Sequence, residues 1–145
     1  MQDRRGVGHV FSSAYISEAK AQEQLSHYIR NEIGGKVEDL DFRKISINPG
    51  YREKFWVNNC VAVGLSSGFV EPLEASAMVL VELAATMIAE QLPANRSTMN
   101  IVSKRFNEQF EYRWKGIIEF LKLHYVLSQR QDEFWLDNRQ PETIP

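Results

Sequence analysis

The segment Gly64–Ala77 concentrates the residue types that can do chemistry in this chain. It combines two glycines, three serines, a proline and the carboxylates Glu71 and Glu74 directly before a long apolar stretch. Amides in the first turn of a helix have no intrahelical acceptor, and the helix dipole makes that end positive. Small residues there let a ligand approach the backbone. The pattern therefore indicates a helix start over residues 74–78 that can hold an anion or the polar edge of a cofactor.

A purely structural interpretation of the same segment is also open. Glu71 and Glu74 would complement the helix dipole, and Ser66 or Ser67 would cap the helix. From the segment alone, this structural interpretation is favoured over a binding site.

Other polar residues point less clearly to a site. His9 and His27 lie in unrelated contexts, so a metal site is not expected. The glycines of Gly6–Gly8 lack the third glycine and the following helix of a dinucleotide fingerprint. His124 and Tyr125 lie near the end of an amphipathic segment, where core packing or dipole complementarity is the simplest role.

Composition limits the class of protein. The 145 residues, 43% hydrophobic and 25% charged, can form one modest packed domain. A net charge of −2 gives no general attraction to nucleic acid or to an anionic membrane. Cys60 is the only cysteine, which excludes an internal disulfide and favours a cytoplasmic setting. No signal peptide is recognisable, and the longest apolar run, Ala75–Ala89, is too short to span a bilayer.

Strand patterns and one helix occupy the first half of the chain. The strand patterns cover residues 8–17, 42–48, 51–57 and 60–65. The second and third are separated by the turn residues Pro49-Gly50 and therefore predict a hairpin. Between the first two, a helix is predicted from an N-cap at Ser17 to Gly34-Gly35.

The second half of the chain is predicted to be helical. Residues 73–92 are apolar on most faces, so this helix is expected to be buried on nearly all sides, with Pro93 just past its end. One long amphipathic helix or two follow over residues 97–130. Its apolar face consists of Phe106, Phe110, Trp114, Ile117, Leu121 and Tyr125. The pair Phe134-Trp135 is either a hydrophobic anchor for the tail or one wall of an aromatic-binding pocket.

Three stretches together resemble a known family. FWVNNCVAVGLSSGFVEPLEASAMVLVE closely resembles the signature of the flavin-dependent tryptophan halogenases, whose common form is W-x-x-N-x-V-A-I-G-L-S-S-G-F-V-E-P-L-E-S-T. DRRGVGHVFSSAYIS is similar to the family's R-x-G-x-G-Y-V-Y-S-S, and FNEQFEYRWKGIIEFLKLHYVLSQRQDEFW to its F-N…R-D-F-I-x-x-H-Y…R-x-D…F-W. The resemblance covers nearly the whole chain.

The resemblance implies an α+β, helix-dominated fold: the C-terminal part of an FAD-dependent monooxygenase or halogenase. The family's N-terminal Rossmann-type βαβ unit with G-x-G-x-x-G, its catalytic lysine and its W-x-W-x-I-P motif are not in this sequence. We therefore expect residues 1–145 to be a single partial domain. Residues 1–72 would complete the flavin-domain sheet, and residues 73–145 would form a mainly helical, substrate-side region. Such a chain is expected to expose apolar surface and to be inactive alone.

The family's chemistry is implied in the same way. Its members use FADH2, O2 and a halide to halogenate tryptophan or another electron-rich aromatic. The implied cofactors are FAD, reduced by a separate flavin reductase, and chloride or bromide. The implied partner is an aromatic small molecule, neither nucleic acid nor membrane is expected, and a homodimer is one assembly to consider.

Site residues follow from the matched motifs. Glu74 matches the glutamate that positions the electrophile at the substrate or takes up the ring proton. Ser76 and Ala77 match residues whose backbone amides hold the halide. Leu65 and Met78 match positions that contact the flavin.

At the substrate end, Tyr125, Phe134 and Trp135 match aromatics that stack around tryptophan. Ala75-Ser76-Ala77 departs from the family's common Ser-Thr-Gly, and Val126 stands where a second tyrosine is common. Two alternatives remain open: a related flavin monooxygenase without halogenation, and a non-catalytic helical interaction module.

Overall fold

The structure is a computed structural model that describes residues 6–34, 36–38, 40–71 and 75–143. They fall into two compact units, the first drawn from Met1–Ser46 and Asp132–Phe134, the second from Ile47–Gln131 and Trp135–Pro145. Helices predominate over two small sheets, as the helix-dominated α+β prediction requires. That residues 1–145 form a single partial domain remains a prediction.

The first unit contains the helix predicted after Ser17. Helix α1, Glu18–Tyr28, begins where the Ser17 hydroxyl accepts a hydrogen bond from the Lys20 amide at 3.3 Å. It continues as one π-helical turn over Ile29–Ile33 and ends at Gly34, whose φ of 72° lies in the left-handed region. The helix-start and helix-stop signals of this segment are therefore confirmed.

The strand predicted over residues 8–17 is not formed. The amides of Tyr15 and Ile16 both donate to the Ser12 carbonyl, at 3.1 and 3.2 Å, and close a turn there. Hydrogen bonding within the segment replaces the bonds that a neighbouring strand would supply.

The strand predicted over residues 42–48 is also absent, although the segment has no helical or turn structure. Ile45 and Ile47, the residues that suggested a buried face, are 66% and 48% exposed. Alternating apolar residues form a strand only when a partner strand pairs with them and a core covers their apolar face. The described residues supply neither at this segment.

Within the part of the second unit that the structure describes, four short strands form two antiparallel pairs. Strand β1, Gly50–Tyr51, pairs with β4, Gly68–Phe69. Strand β2, Trp56–Val57, pairs with β3, Cys60–Val61, through a turn at Asn58-Asn59. A hairpin therefore exists, but one element later than the Pro49-Gly50 turn predicted.

Three helices complete the second half of the chain. Helix α2 runs over Ser76–Gln91, and the prediction that it ends just before Pro93 is confirmed. Helix α3, Arg96–Leu127, is one continuous helix that begins where the Asn95 side chain accepts from the Thr98 amide at 3.1 Å. Helix α4, Glu133–Arg139, follows.

The core of the second unit lies where α2 and α3 meet the strand pairs. Its buried members are Phe55, Trp56, Leu80, Ala84, Met87, Phe106, Phe110 and Trp114. The apolar face predicted for α3 is confirmed, since five of its six residues are buried. The rings of Phe106 and Phe110 stack at 4.3 Å.

Helix α2 differs from its prediction in burial. Leu80, Ala84 and Met87 face the core, but Met78 and Val79 are 70% and 52% exposed. The helix is apolar on most faces, yet the neighbouring elements of its unit cover only one of them.

Candidate functional site

The serines before α2 hydrogen-bond within their own turn. A short 3₁₀ turn covers Gly64–Ser66, and Gly64 adopts a left-handed φ of 62°. The Ser66 hydroxyl accepts from the Val63 amide at 2.9 Å and donates to the Val63 carbonyl at 2.8 Å. The Ser67 hydroxyl donates to the Gly64 carbonyl at 2.7 Å. Neither of these serines caps α2 through these bonds. The structural interpretation, in which Ser66 or Ser67 caps the helix, is therefore not supported in this respect.

Gly68 brings two backbone segments into close approach. A Cβ atom added at Gly68 would lie 2.6 Å from the Cβ atom of Tyr51 and 2.7 Å from its Cα atom. The Arg52 amide donates to the Ser67 carbonyl at 2.9 Å beside this contact. The second glycine of the segment is therefore required for packing.

Helix α2 begins with a methyl side chain at its N-cap. Ala75 has a left-handed φ of 54°, and its side chain offers no oxygen to the first-turn amides. Its carbonyl accepts from the Met78 and Val79 amides at 2.9 and 3.4 Å. Ser76 is half-buried and Ala77 is exposed. Glu74, the predicted catalytic residue, lies outside the described residues.

Both predicted flavin contacts lie on exposed apolar surface. Leu65 is 79% exposed in the 3₁₀ turn, and Met78 is 70% exposed in the first turn of α2. Two exposed large apolar side chains offer a surface that a planar ring system could cover. Their role toward a flavin stays a prediction.

An open groove in the second unit contains two of the three predicted substrate aromatics. It has a volume of about 530 Å³, and its lining includes Tyr125 and Trp135 but not Phe134. The Tyr125 and Trp135 rings are 5.3 Å apart and tilted by 45°. Phe134 belongs to the first unit, where its ring meets the Tyr15 ring edge-on at 5.3 Å.

Tyr125 is the buried polar group of the groove. Its side chain is 5% exposed, and its hydroxyl donates to the Glu71 carboxylate, which also lines the groove. Burial, and then the hydrogen bond and charge of Glu71, raise the pKa of the Tyr125 phenol above its ordinary value. The phenol therefore stays protonated, and remains a donor, throughout the physiological pH range.

A lysine of α3 holds the C-terminal segment. The Lys122 ammonium donates to the carbonyl oxygens of Asn138, Gln140 and Thr143, at 2.6, 2.5 and 2.8 Å. These carbonyls lie at or beyond the C-terminal end of α4, where a cation is favourable. The bonds fix the helix that presents Trp135 to the groove.

Two arginines, Arg130 and Arg139, make contacts in the region around Trp135. One nitrogen of Arg139, Nη2, donates to the Ser128 and Arg130 carbonyls at 2.6 and 2.7 Å and closes the connection between α3 and α4. The Arg130 guanidinium lies 4.8 Å from the centre of the Trp135 ring, a cation–π distance. The Trp135 ring therefore contacts both the Arg130 guanidinium and the Tyr125 ring.

Sequence reasoning missed the two groups that organise this groove. Glu71 was interpreted only as a dipole-complementing residue, and Lys122 was not singled out. Glu71 and Tyr125 are 54 residues apart. No periodicity joins positions at such a separation, so no signal in the sequence could have found the pair. His124, expected in a core or dipole role, is exposed at the groove, with its Nδ1 2.8 Å from the Phe120 carbonyl.

Two properties of the described residues bear on the class of site. Among the residues that the structure describes, no three His, Cys, Asp or Glu side chains are grouped as a metal site would require. None of the described helices has both the length and the hydropathy of a bilayer-crossing segment.

Comparisons with known proteins show which family the chain resembles. The family model described as tryptophan halogenase matches residues 1–145. The crystal structure of tryptophan halogenase from Shewanella frigidimarina NCIMB 400 shares 47% identity and a TM-score of 0.84, covering 93% of this chain and 26% of that one. BrvH, a flavin-dependent halogenase from Brevundimonas sp. BAL3, shares 34% identity and a TM-score of 0.76 over the same shares. Tryptophan 6-halogenase SttH from Streptomyces toxytricini is 33% identical over 94% of this chain and 25% of its own length.

The chain thus spans about a quarter of the length of these relatives. The resemblance noted in the sequence is confirmed, because the family match extends over every residue of the chain and the fold is shared at high similarity. The protein belongs to the tryptophan halogenase family.

Proposed function

We propose that this chain supplies the substrate-side part of a flavin-dependent halogenase that acts on tryptophan or another electron-rich aromatic. The observation that carries the proposal is the groove in which Tyr125 and Trp135 stand 5.3 Å apart, with a carboxylate beside them. Two aromatic rings in contact with each other form an apolar wall against which an indole ring would pack. The family membership adds the reaction class.

The described residues fit the implied cofactors. Exposed Leu65 and Met78 would lie against a flavin ring, which, when reduced and bound, supplies the reaction with oxygen that oxidises the halide. The first turn of α2 would receive the halide at the Ser76 and Ala77 amides, the positions that match the family's halide-binding residues, because the N-terminus of a helix attracts anions.

Glu74 carries the proposed catalytic role by its match to the family motif. In that role its carboxylate positions the electrophile beside the aromatic ligand or accepts the proton that the ring loses on substitution. The adjoining residues Ala75 and Ser76 contribute small side chains, which keep this end of the helix accessible.

The exposed side of α2 supports the further proposal that this chain works together with a flavin-binding portion like that of its longer relatives. A helix that is apolar on most faces is normally covered on most faces. Here Met78 and Val79 are left exposed, and about three quarters of the length of the relatives lies outside the part that this chain matches. The Rossmann-type unit and the catalytic lysine would belong to that portion, so the present chain is proposed to be inactive alone.

Complementation tests the proposal. The chain is co-expressed with the part of the Shewanella frigidimarina relative that precedes its matching segment, and the purified complex is supplied with reduced FAD, oxygen, bromide and tryptophan or indole. We expect flavin to co-purify and a brominated aromatic to form, while the 145-residue chain alone gives no product. A Ser76→Pro variant, which removes one proposed halide-binding amide, should lose bromination.

The same experiment separates the alternatives. Flavin retention with oxygenated but never brominated product would replace the proposal with a flavin monooxygenase. A chain that binds neither flavin nor the complementing portion would support a helical interaction module instead.

A further inference from the structure

One hydrogen bond links the segment before α2 to the far end of α3. Glu71 follows β4 by two residues and precedes the first residue of α2, Ser76, by five. Its carboxylate accepts a hydrogen bond from the hydroxyl of Tyr125. Tyr125 lies in the last turn of α3, three residues before the C-cap residue Ser128. This contact therefore joins the proposed halide-binding end of α2 to the proposed aromatic groove.

The surroundings of this hydrogen bond make its loss costly in free energy. Tyr125 is 5% exposed, and a buried hydroxyl without an acceptor costs free energy. A hydrogen bond to a charged acceptor is also stronger than one between neutral groups. The carboxylate and the phenol both line the groove, so the bond lies at the groove surface.

We propose that Glu71 is a positioning residue of the aromatic groove, which holds the Tyr125 ring in place as one wall and thereby ties the segment before α2 to that wall. The proposal rests on the proposed function in one respect, since the ligand is taken to be aromatic. Glu71 acts through Tyr125, and no contact of Glu71 with the reacting atoms is invoked.

Affinity for indole tests the positioning role. Calorimetry or ligand-observed NMR on the 145-residue chain measures the dissociation constant in each variant. Glu71→Leu and Tyr125→Phe each remove the bond, and we expect each to weaken indole binding about tenfold, the scale of one charge-assisted hydrogen bond. The double variant should bind no more weakly than either single one, because both lesions break the same contact. Glu71→Gln, whose amide oxygen still accepts from the phenol, should stay within about twofold of the unmodified chain.

A matched control excludes a general effect of removing a carboxylate. Glu119 is exposed on α3 and is not among the groove-lining residues. Glu119→Leu should therefore leave the affinity for indole unchanged. Additive losses in the Glu71→Leu, Tyr125→Phe double variant, or unchanged affinity in both single variants, would overturn the positioning role.

Titration of the phenol provides a readout that does not depend on any ligand. The chain has five tyrosines, and the absorbance component lost in Tyr125→Phe identifies Tyr125. Glu71→Gln removes the neighbouring negative charge, so the pKa of Tyr125 should fall in that variant and remain unchanged in Glu119→Gln. An unchanged titration in Glu71→Gln overturns the inference whatever the binding data give. If the unmodified chain binds no indole, the assignment of its groove to an aromatic ligand fails, and a lowered pKa of Tyr125 then supports only the link between Glu71 and Tyr125.

Discussion

Single residues of this chain act mainly through close backbone approach and through buried polar pairs. Gly68 faces the backbone of Tyr51 across a strand pair, and Glu71 accepts from a buried phenol. Both positions were visible in the sequence as a glycine and an acid within one motif. Neither contact was predicted from the sequence, because each needs a partner from another element.

Replacing Gly68 by alanine is expected to lower the free energy of unfolding by about 2 kcal/mol, the usual scale of overpacking. The added methyl would lie 2.6 Å from the Tyr51 Cβ atom, so backbone must shift. Gly116→Ala in α3 is the matched control. Nothing lies within 4 Å of the added methyl there, and the unfolding free energy should rise by about 1 kcal/mol. Urea unfolding measures both changes, and equal effects would contradict the steric argument.

Tyr125 should make stability depend on pH in the alkaline range. Its pKa is raised in the folded chain by burial and by Glu71, whereas the pKa of a tyrosine in the unfolded chain is about 10. A group whose folded pKa is raised contributes its full stabilisation below the unfolded pKa and loses it as pH rises toward the folded pKa. We therefore expect the unfolding free energy to fall more steeply above pH 10 in the unmodified chain than in Tyr125→Phe. Parallel curves for the two proteins would contradict this assignment.

At the scale of elements, side chains take over bonds that the short strands leave unmade. Asn107 of α3 accepts from the Phe55 and Trp56 amides at 2.8 and 2.7 Å, and donates to the Trp56 carbonyl at 2.9 Å. One helix side chain thereby makes the backbone hydrogen bonds that a neighbouring strand would otherwise make with β2 and the residue before it. Lys122 does the equivalent for the carbonyls beyond α4.

Asn107→Ala is expected to cost about 3 kcal/mol of unfolding free energy, since three hydrogen bonds of partly buried groups are lost. Asn107→Asp keeps an acceptor for both amides and should cost less. Asn100→Ala, an exposed position on the same helix, should stay within about 0.5 kcal/mol of the unmodified chain. Chemical denaturation of the four proteins ranks them, and a similar loss at positions 100 and 107 would show that Asn107 has no special role.

At the scale of the whole molecule, the main feature is apolar side chains that remain exposed to solvent. Leu65, Met78 and Val79 are exposed, although their sequence context is that of a buried segment. The relatives are about four times as long as this chain, and the proposed function assigns this surface to contact with a flavin-binding portion.

Met78→Gln combined with Val79→Gln should therefore change association and leave folding intact. We expect lower fluorescence of a hydrophobic dye and less light scattering in concentrated solution, because the exposed apolar surface is reduced. Unfolding free energy should change by less than about 0.5 kcal/mol, since neither side chain packs in the core. Thr86→Gln, exposed on the same helix, is the control and should alter none of these measurements. Dye binding that is unaffected by the double variant would locate the association surface elsewhere.

Local sequence signals predicted helices α1, α2 and α3 and the family, but not helix α4. Ser17, Gly34 and Pro93 are local signals that act within one turn, and the aromatic periodicity of α3 follows from helix geometry alone, so these predictions were confirmed. The family was recognisable because its motifs are long and contiguous.

Only the tertiary structure decided strand pairing, the exposure of α2 and the Glu71–Tyr125 contact. Residues 42–48 have a strand pattern but no partner strand, and α2 has an apolar surface but neighbours on one face. Each of these properties depends on what another part of the chain offers in space. Local sequence patterns record the preference of a segment, whereas pairing and burial also require a matching surface that the segment does not encode.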